Sequence, residues 1–597
     1  MFQRLYELST ILPQDLVTWE KLNEGMPPEY NRGFALCFDE QGHWAKIQTV
    51  QKTGKEVVYR AGSSGNGTNL TPCYKLSPTT LKRLLESVEE LADNSAGTES
   101  DWLKASIESY KQNQAIVSEK LEKAKENAGL NNKDVRGFVF WARLLSNGQI
   151  DPVYNWNIAK QFLEQRFFGS LTKRGGKRNP GICIISGKTD QEVYGGFSNI
   201  ACYNLDKPGS IAGGFSEKLA YRNFPVSKES AVEVAYAFTY AKDYLQGTMA
   251  GETYLILPYA VNPDIREQLH DHLREYPERF QLGKAKDLVA EESELVDEFG
   301  NSSDQIAFFL VFYEEKQASW KIQAEIQELL PSRLHRLKAA REKIEKALDL
   351  TKEGETKGLT ISALTFKNFT SKPFASKKEI KNTLRNWLVA LFEGRTVDSR
   401  HFLHHLVDKL VATGKGKETR KYLTNTTREA LGLYRYALLT GLIMTERKTM
   451  VDLPEFNSVY GRYIHEHLDF FTKPEFVTAF LSGCYVSVTA SVQKKERTLE
   501  SKEDTSIVKK FLGKLLSKKN LIQLDKDAHD KLAYYSKNKL KYHATVLGED
   551  LYQSWVACGQ NWNISNEETT FAFTIGYSLQ YRISQPYTES TTDTTEE

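Results

Sequence analysis

Cysteine is scarce in this chain, and where it occurs it stands alone. Six thiols, Cys37, Cys73, Cys183, Cys202, Cys484 and Cys558, are scattered over 597 residues with no CxxC pair among them. That spacing argues against a disulfide framework and against a zinc site of paired cysteines, and it fits a reducing cytoplasm. The start, Met1-Phe-Gln-Arg-Leu-Tyr-Glu-Leu8, lacks the apolar core of a signal peptide. The longest uncharged stretch, Phe476 to Val492, is broken by Ser, Thr and Gly. It falls short of the ~20 apolar residues of a membrane span, so no membrane is expected as a partner. A dominant charge is missing too: 79 basic residues face 77 acidic ones, for a net charge of +2. Composition as a whole therefore neither favours nor excludes nucleic acid. With 40% hydrophobic and 26% charged residues the chain is an ordinary globular protein. It is too long for one core, so about two to four domains are expected.

The constellations of an enzyme are also missing. Gly181-Ile-Cys-Ile-Ile-Ser-Gly-Lys-Thr189 ends like a phosphate-binding loop. It has one residue too many between its glycines, and its apolar run suits a strand better. His401, His405 and Asp408 share a helical face at metal-ligand spacing, but no glutamate base accompanies them, and the face reads as a basic helix surface. His270-Asp-His272 and His465-Glu-His467 alternate across a helix and read as surface. There is no GxSxG elbow, no cysteine with an assignable histidine and no acidic quartet for two-metal chemistry. No catalytic residue, metal or cofactor is expected, and the chain reads as a non-enzyme.

The pattern that is present predicts an α+β protein: a mixed α/β N-terminal region with antiparallel hairpins, then an all-α bundle. Phe34–Phe38 and Trp44–Val50 read as a hairpin, with a third strand around Val57-Val-Tyr59. Ala61–Thr68 is a Gly/Ser/Asn loop open enough to approach a phosphate or to be a surface linker. Ser77 and Pro78 suit a helix start, and residues 92–100 a linker. Residues 101–130 read as an amphipathic helix, and Asn147-Gly148 as a hairpin turn after Phe138–Leu145. Glu252–Pro258 and Ile306–Tyr313 are buried-strand candidates. From Trp320 strands give way to helix over 320–350, with a polar hinge over 350–359. The expected domains are 1–100, 101–370 and a helical bundle over 376–585, with a disordered acidic tail over 586–597.

Charge is uneven along this frame. Residues 371–450 carry 16 Lys/Arg against 7 Asp/Glu, and residues 506–543 carry 10 Lys against 3 Asp, while 284–304 is acidic. Two basic blocks in a nearly neutral protein form a phosphate-facing surface or a solvated lysine-rich face.

Three blocks carry a family likeness. They are Gly181–Gly195 with Asn204–Phe215; Arg222-Asn-Phe-Pro-Val-Ser-Lys-Glu-Ser-Ala231 leading to Gly251–Pro258; and Trp320–Leu334. In this combination and order the chain resembles the large subunit of the type I-B CRISPR surveillance complex, Cascade. The resemblance implies a guide CRISPR RNA that reads the target by pairing, as in other effectors. This subunit would read the short motif flanking the double-stranded target DNA and help open it. It would contact the guide's 5′ end and join Cascade backbone and small subunits. The helical C-terminal domain would resemble a small subunit along the displaced strand, and the complex would recruit a separate helicase-nuclease. Related systems also make the small subunit from an internal start, for which Met444 and Met450 are candidates. Family members often carry two CxxC pairs, resembling a zinc ribbon, in the insertion over 181–231. Here those positions read Cys183-Ile-Ile-Ser186 and Ser227-Lys-Glu-Ser230, and one thiolate cannot hold zinc.

Minor-groove reading needs amides or small residues on a loop flanked by cations. Two loops fit: Lys173, Arg174, Lys177, Arg178 and Asn179 around the Gly175-Gly176 pair, which resembles a phosphate-clamping turn, and Lys218, Arg222 and Asn223. For strand phosphates the candidates are Lys377, Lys378, Lys381, Lys415, Lys417, Arg420 and Lys421, then Lys509, Lys510, Lys518 and Lys519. The rival reading is a non-catalytic helical scaffold that binds protein partners and uses its basic bundle for solubility.

Overall fold

A computed structural model describes residues 1–62, 69–130, 136–173, 175–197, 216–275, 305–316, 319–348, 359–370, 377–417, 419–444, 453–499, 505–535 and 541–589. The described residues form two compact units. One is built from Met1–Gly247, Thr253–Gln281 and Gln305–Glu325. The other takes Thr248–Glu252 and the chain from Ile326 onward.

The first unit opens with short helices α1 (Phe2–Ser9) and α2 (Thr18–Leu22), then the hairpin β1 (Arg32–Phe38) and β2 (Trp44–Gln51). After β3 (Cys73–Lys75) come α3 (Thr80–Asp93), α4 (Thr98–Asn127), β4 (Gly137–Leu144), β5 (Ile150–Pro152) and α5 (Asn157–Lys173). The first sheet runs β2-β1-β4-β3, with β5 also on β4. The β1–β2 pair is antiparallel, as the alternation predicts, but β1 and β4 lie parallel. Every side chain from Phe138 to Ala142 is buried, so β4 reads as a continuous apolar run. Leu84, Val88 and Leu91 of α3 and Trp102, Leu103 and Ile107 of α4 close one core with this sheet. Phe38 stacks on Trp141 at its centre, centroids 4.6 Å apart.

The segment Val57-Val58-Tyr59 is buried but is not the expected third strand. Asn23 takes its backbone instead: the Tyr59 N–H donates to Asn23 Oδ1 at 3.0 Å. The helix expected from Ser77 starts at Thr80, whose hydroxyl accepts from the Ser77 N–H at 2.6 Å.

A three-stranded sheet follows, β6 (Lys177–Gly181), β7 (Gln191–Tyr194) and β8 (Val226–Ser227), leading into α6 (Lys228–Tyr244). The last sheet runs β12-β11-β10-β9, from β9 (Gln246–Met249), β10 (Glu252–Ala260), β11 (Ile306–Lys316) and β12 (Ser319–Leu329), with α7 at Arg266–Glu275. The two buried-strand candidates pair antiparallel, Tyr254 against Phe312 and Leu257 against Phe309. Strands do not end at Trp320. Trp320, Ile322, Ala324 and Ile326 alternate with polar residues at the period of a strand, and the helix begins only at Pro331. The acidic segment 284–304 lies outside the described residues, as do most of the 61–68 loop, most of the 350–359 hinge and the end of the acidic tail.

The second unit is helical: α8 (Pro331–Ala347), α9 (Ala363–Thr370), α10 (Lys377–Glu393), α11 (Ser399–Lys415), α12 (Leu423–Leu439), α13 (Val459–Glu466), α14 (Pro474–Glu496), α15 (Lys518–Tyr534), α16 (Lys541–Cys558) and α17 (Asn566–Glu589). Helix α14 is its axis, and 94% of its apolar window is buried. Among the described residues it is long and apolar enough to cross a membrane, longer than the uncharged stretch suggested; here its neighbours in the bundle cover it.

Candidate nucleic-acid interface

The two loops singled out for reading a duplex form one surface. The turn Gly175-Gly176, at φ +86° and +64°, lies against a 3₁₀ helix over Glu217–Arg222. The Tyr221 N–H donates to the Gly175 carbonyl at 3.0 Å, and the Gly195 N–H to the Gly176 carbonyl at 3.1 Å. A Cβ at Gly176 would sit 2.1 Å from the Lys218 carbonyl, and one at Gly195 would sit 2.2 Å from the Tyr221 nitrogen. The glycines thus let the chain's own backbone approach, which is a use other than the phosphate clamp the sequence suggested. Around this turn Arg178, Asn179, Lys218, Arg222 and Asn223 are exposed. Lys177 is exposed too but is committed to Glu192 at 2.8 Å. Arg174 and the Lys173 side chain lie outside the described residues. Ile182 and Ile184, expected on a strand, flank a turn instead and are 59% and 52% exposed, with Cys183 and Ile185 turned inward.

Cys183 leads to a second feature of this lobe. Its Sγ lies 3.3 Å from Ser230 Oγ and accepts from the Ser227 N–H at 3.4 Å, while Ser227 Oγ and Ser230 Oγ are 3.1 Å apart. Ser186 also hydrogen-bonds the thiol. The four positions that would be ribbon ligands therefore converge, but as one thiol and three hydroxyls. That donor set does not fit zinc, which takes thiolates and imidazoles in structural sites. Burial opposes ionisation of Cys183, yet hydrogen bonds from Ser186, Ser230 and the Ser186 and Ser227 amides outweigh it and bring the thiol down to about 7. Burial pushes Cys37 and Cys558 up to about 11 and raises Cys73 and Cys484 as well. Native thiolate absorbance is thus expected to rise with a midpoint near pH 7, and Cys183→Ser to abolish that step. Because the folded value lies below the ordinary 9.0, this thiol adds stability above pH 9 and loses it as pH falls through about 7. A wild-type titration without a step below pH 8 would refute the arrangement.

In the helical unit the two basic blocks meet. Gly414, at the end of α11, packs so closely that a Cβ would lie 2.9 Å from the Gly513 nitrogen, and Gly513 lies as tightly on Lys415. This contact joins Lys415 and Lys417 of one block to the segment that carries Lys509 and Lys510 of the other. Lys378, Lys415, Lys417, Lys421, Lys509 and Lys519 are exposed, and Lys421 sits 4.9 Å from the Tyr422 ring centroid. Other predicted cations are engaged. Lys510 pairs with Asp527, and Lys518 donates to the Gln560 carbonyl at 3.0 Å beside Trp562. Lys381 lies 3.4 Å from Glu252, a buried carboxylate held at 2.7 Å by Arg385. The Lys377 and Arg420 side chains lie outside the described residues. Sequence reasoning missed the aromatic neighbours, Tyr422 and Trp562, although Tyr422 adjoins Lys421 in the chain.

The histidine face of α11 is not a basic surface throughout. His405 is 5% exposed, its ring 5.2 Å from Trp387, and Asp408 pairs with His404 at 3.3 Å. His467, expected on the surface, is half-buried against Tyr463, its Nδ1 2.9 Å from that residue's carbonyl. Among the described residues no three His, Cys, Asp or Glu side chains converge as a metal site.

Residues 180–329, which include most of the small lobe and the last sheet, match the family model described as CRISPR-associated protein TM1802, central domain. Residues 367–590, the helical bundle, match the C-terminal domain model of the same family. The chain is a CRISPR-associated protein. Of the exposed lobe cations of this CRISPR-associated protein, Lys218 and Arg222 lie in the matched central domain and Lys177 and Arg178 just ahead of it, while the joined basic blocks lie in the C-terminal one. No curated protein matches the chain.

Proposed function

We propose that this CRISPR-associated chain is the large subunit of a type I-B RNA-guided surveillance complex, cytoplasmic and itself non-catalytic. It reads the motif flanking the target DNA, contacts the 5′ end of the guide RNA, steadies the opened strands and helps recruit a separate helicase-nuclease. Backbone and small subunits of the complex are its protein partners. The observation that carries the reading is the junction of the two basic blocks at Gly414 and Gly513, in the domain that matches the family. That junction gathers phosphate-ready cations from segments about a hundred residues apart, which a merely soluble lysine-rich face does not require. The small lobe adds amides and cations on one turn, the group types that read a groove edge and hold its flanking phosphates.

Two measurements test this. Co-expressed with candidate backbone subunits and a guide, the chain is expected to co-purify with short RNAs sharing a 5′ end. A particle free of such RNA would sink the assignment. In the assembled complex, the combined Lys415→Ala, Lys417→Ala, Lys509→Ala and Lys519→Ala variant should flatten the salt dependence of DNA binding. Every phosphate left without its cation takes about 0.7–0.9 off the log–log slope, so about three units are expected in all. An unchanged affinity and slope would mean that the basic junction does not hold the strand.

A further inference from the structure

The helical unit contains a cleft that none of the preceding assignments uses. It lies between α14, α15 and α16, has a volume of about 940 Å³, and is lined by Tyr485, Tyr535, Tyr552 and Trp555 with Asp525 among them. Oδ2 of Asp525 accepts from Ser482 Oγ at 2.8 Å and from Trp555 Nε1 at 2.9 Å. Its other oxygen, Oδ1, is buried and has no partner. A buried acceptor left unmade costs ~1–3 kcal/mol, so a donor that reaches Oδ1 through the cleft gains by satisfying it. Burial lifts this carboxyl to about 7, consistent with water removed and not replaced.

The surroundings narrow what that donor belongs to. Tyr552, 71% exposed, and Trp555, held by its Nε1 on Asp525, both line the cleft, so it offers aromatic surface to a ligand. Arg497 donates to the Tyr535 hydroxyl at 3.1 Å, and Lys494 and Lys495 occupy the last turn of α14 beside it. With Glu496 in the same turn the rim keeps a net positive charge, while the lining carries Asp525 and Glu549 with His529. An acidic interior rejects phosphate, and a basic rim rejects a lysine or arginine side chain. An apolar side chain would leave Oδ1 unsatisfied. A nucleobase meets all three conditions: it is flat and uncharged, it carries N–H donors on its edge, and its phosphates stay outside.

We propose that this cleft takes an unstacked base from a single strand, its ring on the Tyr552–Trp555 surface and an edge N–H donating to Asp525 Oδ1. Arg497 holds the adjoining phosphate. The proposal rests on the strand-binding reading above and gives that strand an anchoring point. A duplex cannot enter, because its bases are paired and stacked.

The test uses the full chain in its guide-loaded complex and a labelled single-stranded oligonucleotide, with an abasic strand of the same length beside it. Tyr552 is solvent-exposed, so Tyr552→Ala does not threaten the fold. It is expected to weaken the base-bearing strand roughly 5- to 160-fold, as stacking on one aromatic is worth about 1–3 kcal/mol, and to leave the abasic strand unchanged. Asp525→Asn keeps the shape but turns the free acceptor into a donor, and should shift which bases bind best. A 2-aminopurine strand should be quenched on binding, and less so in Trp555→Phe. If Tyr552→Ala and Asp525→Asn bind both strands like the wild type, the cleft is not a base site, although the strand-binding reading stands. A tight, salt-insensitive apolar peptide in the cleft would likewise overturn it. If the wild-type complex holds no single strand at any salt concentration, both readings fall.

Discussion

Gly483→Ala should lower the unfolding temperature of the helical unit by roughly 4–8 °C, and Gly576→Ala by a similar amount. The two glycines face each other across the α14–α17 crossing. A Cβ on Gly483 would lie 2.1 Å from the Phe573 carbonyl oxygen, and one on Gly576 would lie 2.1 Å from the Phe480 carbonyl oxygen. Both obstacles are backbone, so no rotamer change relieves them, and the helices must separate. Alanine in a helix is ordinarily better than glycine by about 1 kcal/mol. Overpacking a close-packed core costs typically 1–3 kcal/mol, and the upper end applies where backbone is struck. A net loss of about 2 kcal/mol, at about 2–4 °C per kcal/mol for a unit of this size, corresponds to the stated shift. Gly548→Ala on α16 is the control, because there a Cβ meets only Tyr485 side-chain atoms at 3.4 Å or more. That variant should be neutral or slightly stabilising. Thermal melts followed by circular dichroism decide the matter, and Gly483→Ala melting within a degree of wild type would refute the crossing.

The second large effect concerns the small lobe. The combined Ser186→Cys, Ser227→Cys and Ser230→Cys variant is expected to bind one zinc ion per chain, where the wild type binds none in stoichiometric amount. Four thiolates around zinc at about 2.3 Å lie about 3.8 Å apart. The Cys183 Sγ–Ser230 Oγ and Ser227 Oγ–Ser230 Oγ contacts, 3.3 and 3.1 Å, need only a small expansion as longer C–S bonds replace C–O. Zinc bound by four cysteines is worth on the order of 10 kcal/mol in small peptides, so the metal should survive gel filtration. Chelation should then melt the lobe before the rest of the chain, as protease sensitivity within 175–230 would show. Metal analysis of the folded triple variant finding no zinc would mean that the four side chains do not surround a common point. In the wild-type chain these four positions are held by hydrogen bonds to one thiol, which bring it near neutrality.

Much of the fold was legible from periodicity. The hairpin at β1 and β2, the long α4, the buried strands β10 and β11 and the helical run after 376 all announced themselves by spacing alone. The misreadings share a cause. Val57–Tyr59 has the composition of a strand, but Asn23 and Glu24 claim its backbone from elsewhere in the chain. Trp320–Leu329 satisfies both a strand and a loose helical pattern, and pairing with β11 decides for the strand. Among site residues, charge was visible but commitment was not. Lys177, Lys381 and Lys510 look in sequence like Arg178, Lys378 and Lys509, yet each of the first three has a carboxylate beside it.

Local order, then, was set by the chain itself: residue spacing dictates which face is apolar, where a helix begins and where cations cluster, since those depend on neighbours a few positions away. Only packing decided that Cys183 meets three serines, that Gly414 joins two basic blocks, that Gly483 and Gly576 interlock, and that Asp525 keeps one oxygen unsatisfied. Those contacts link residues dozens to a hundred positions apart, and no local preference encodes a distance of that kind.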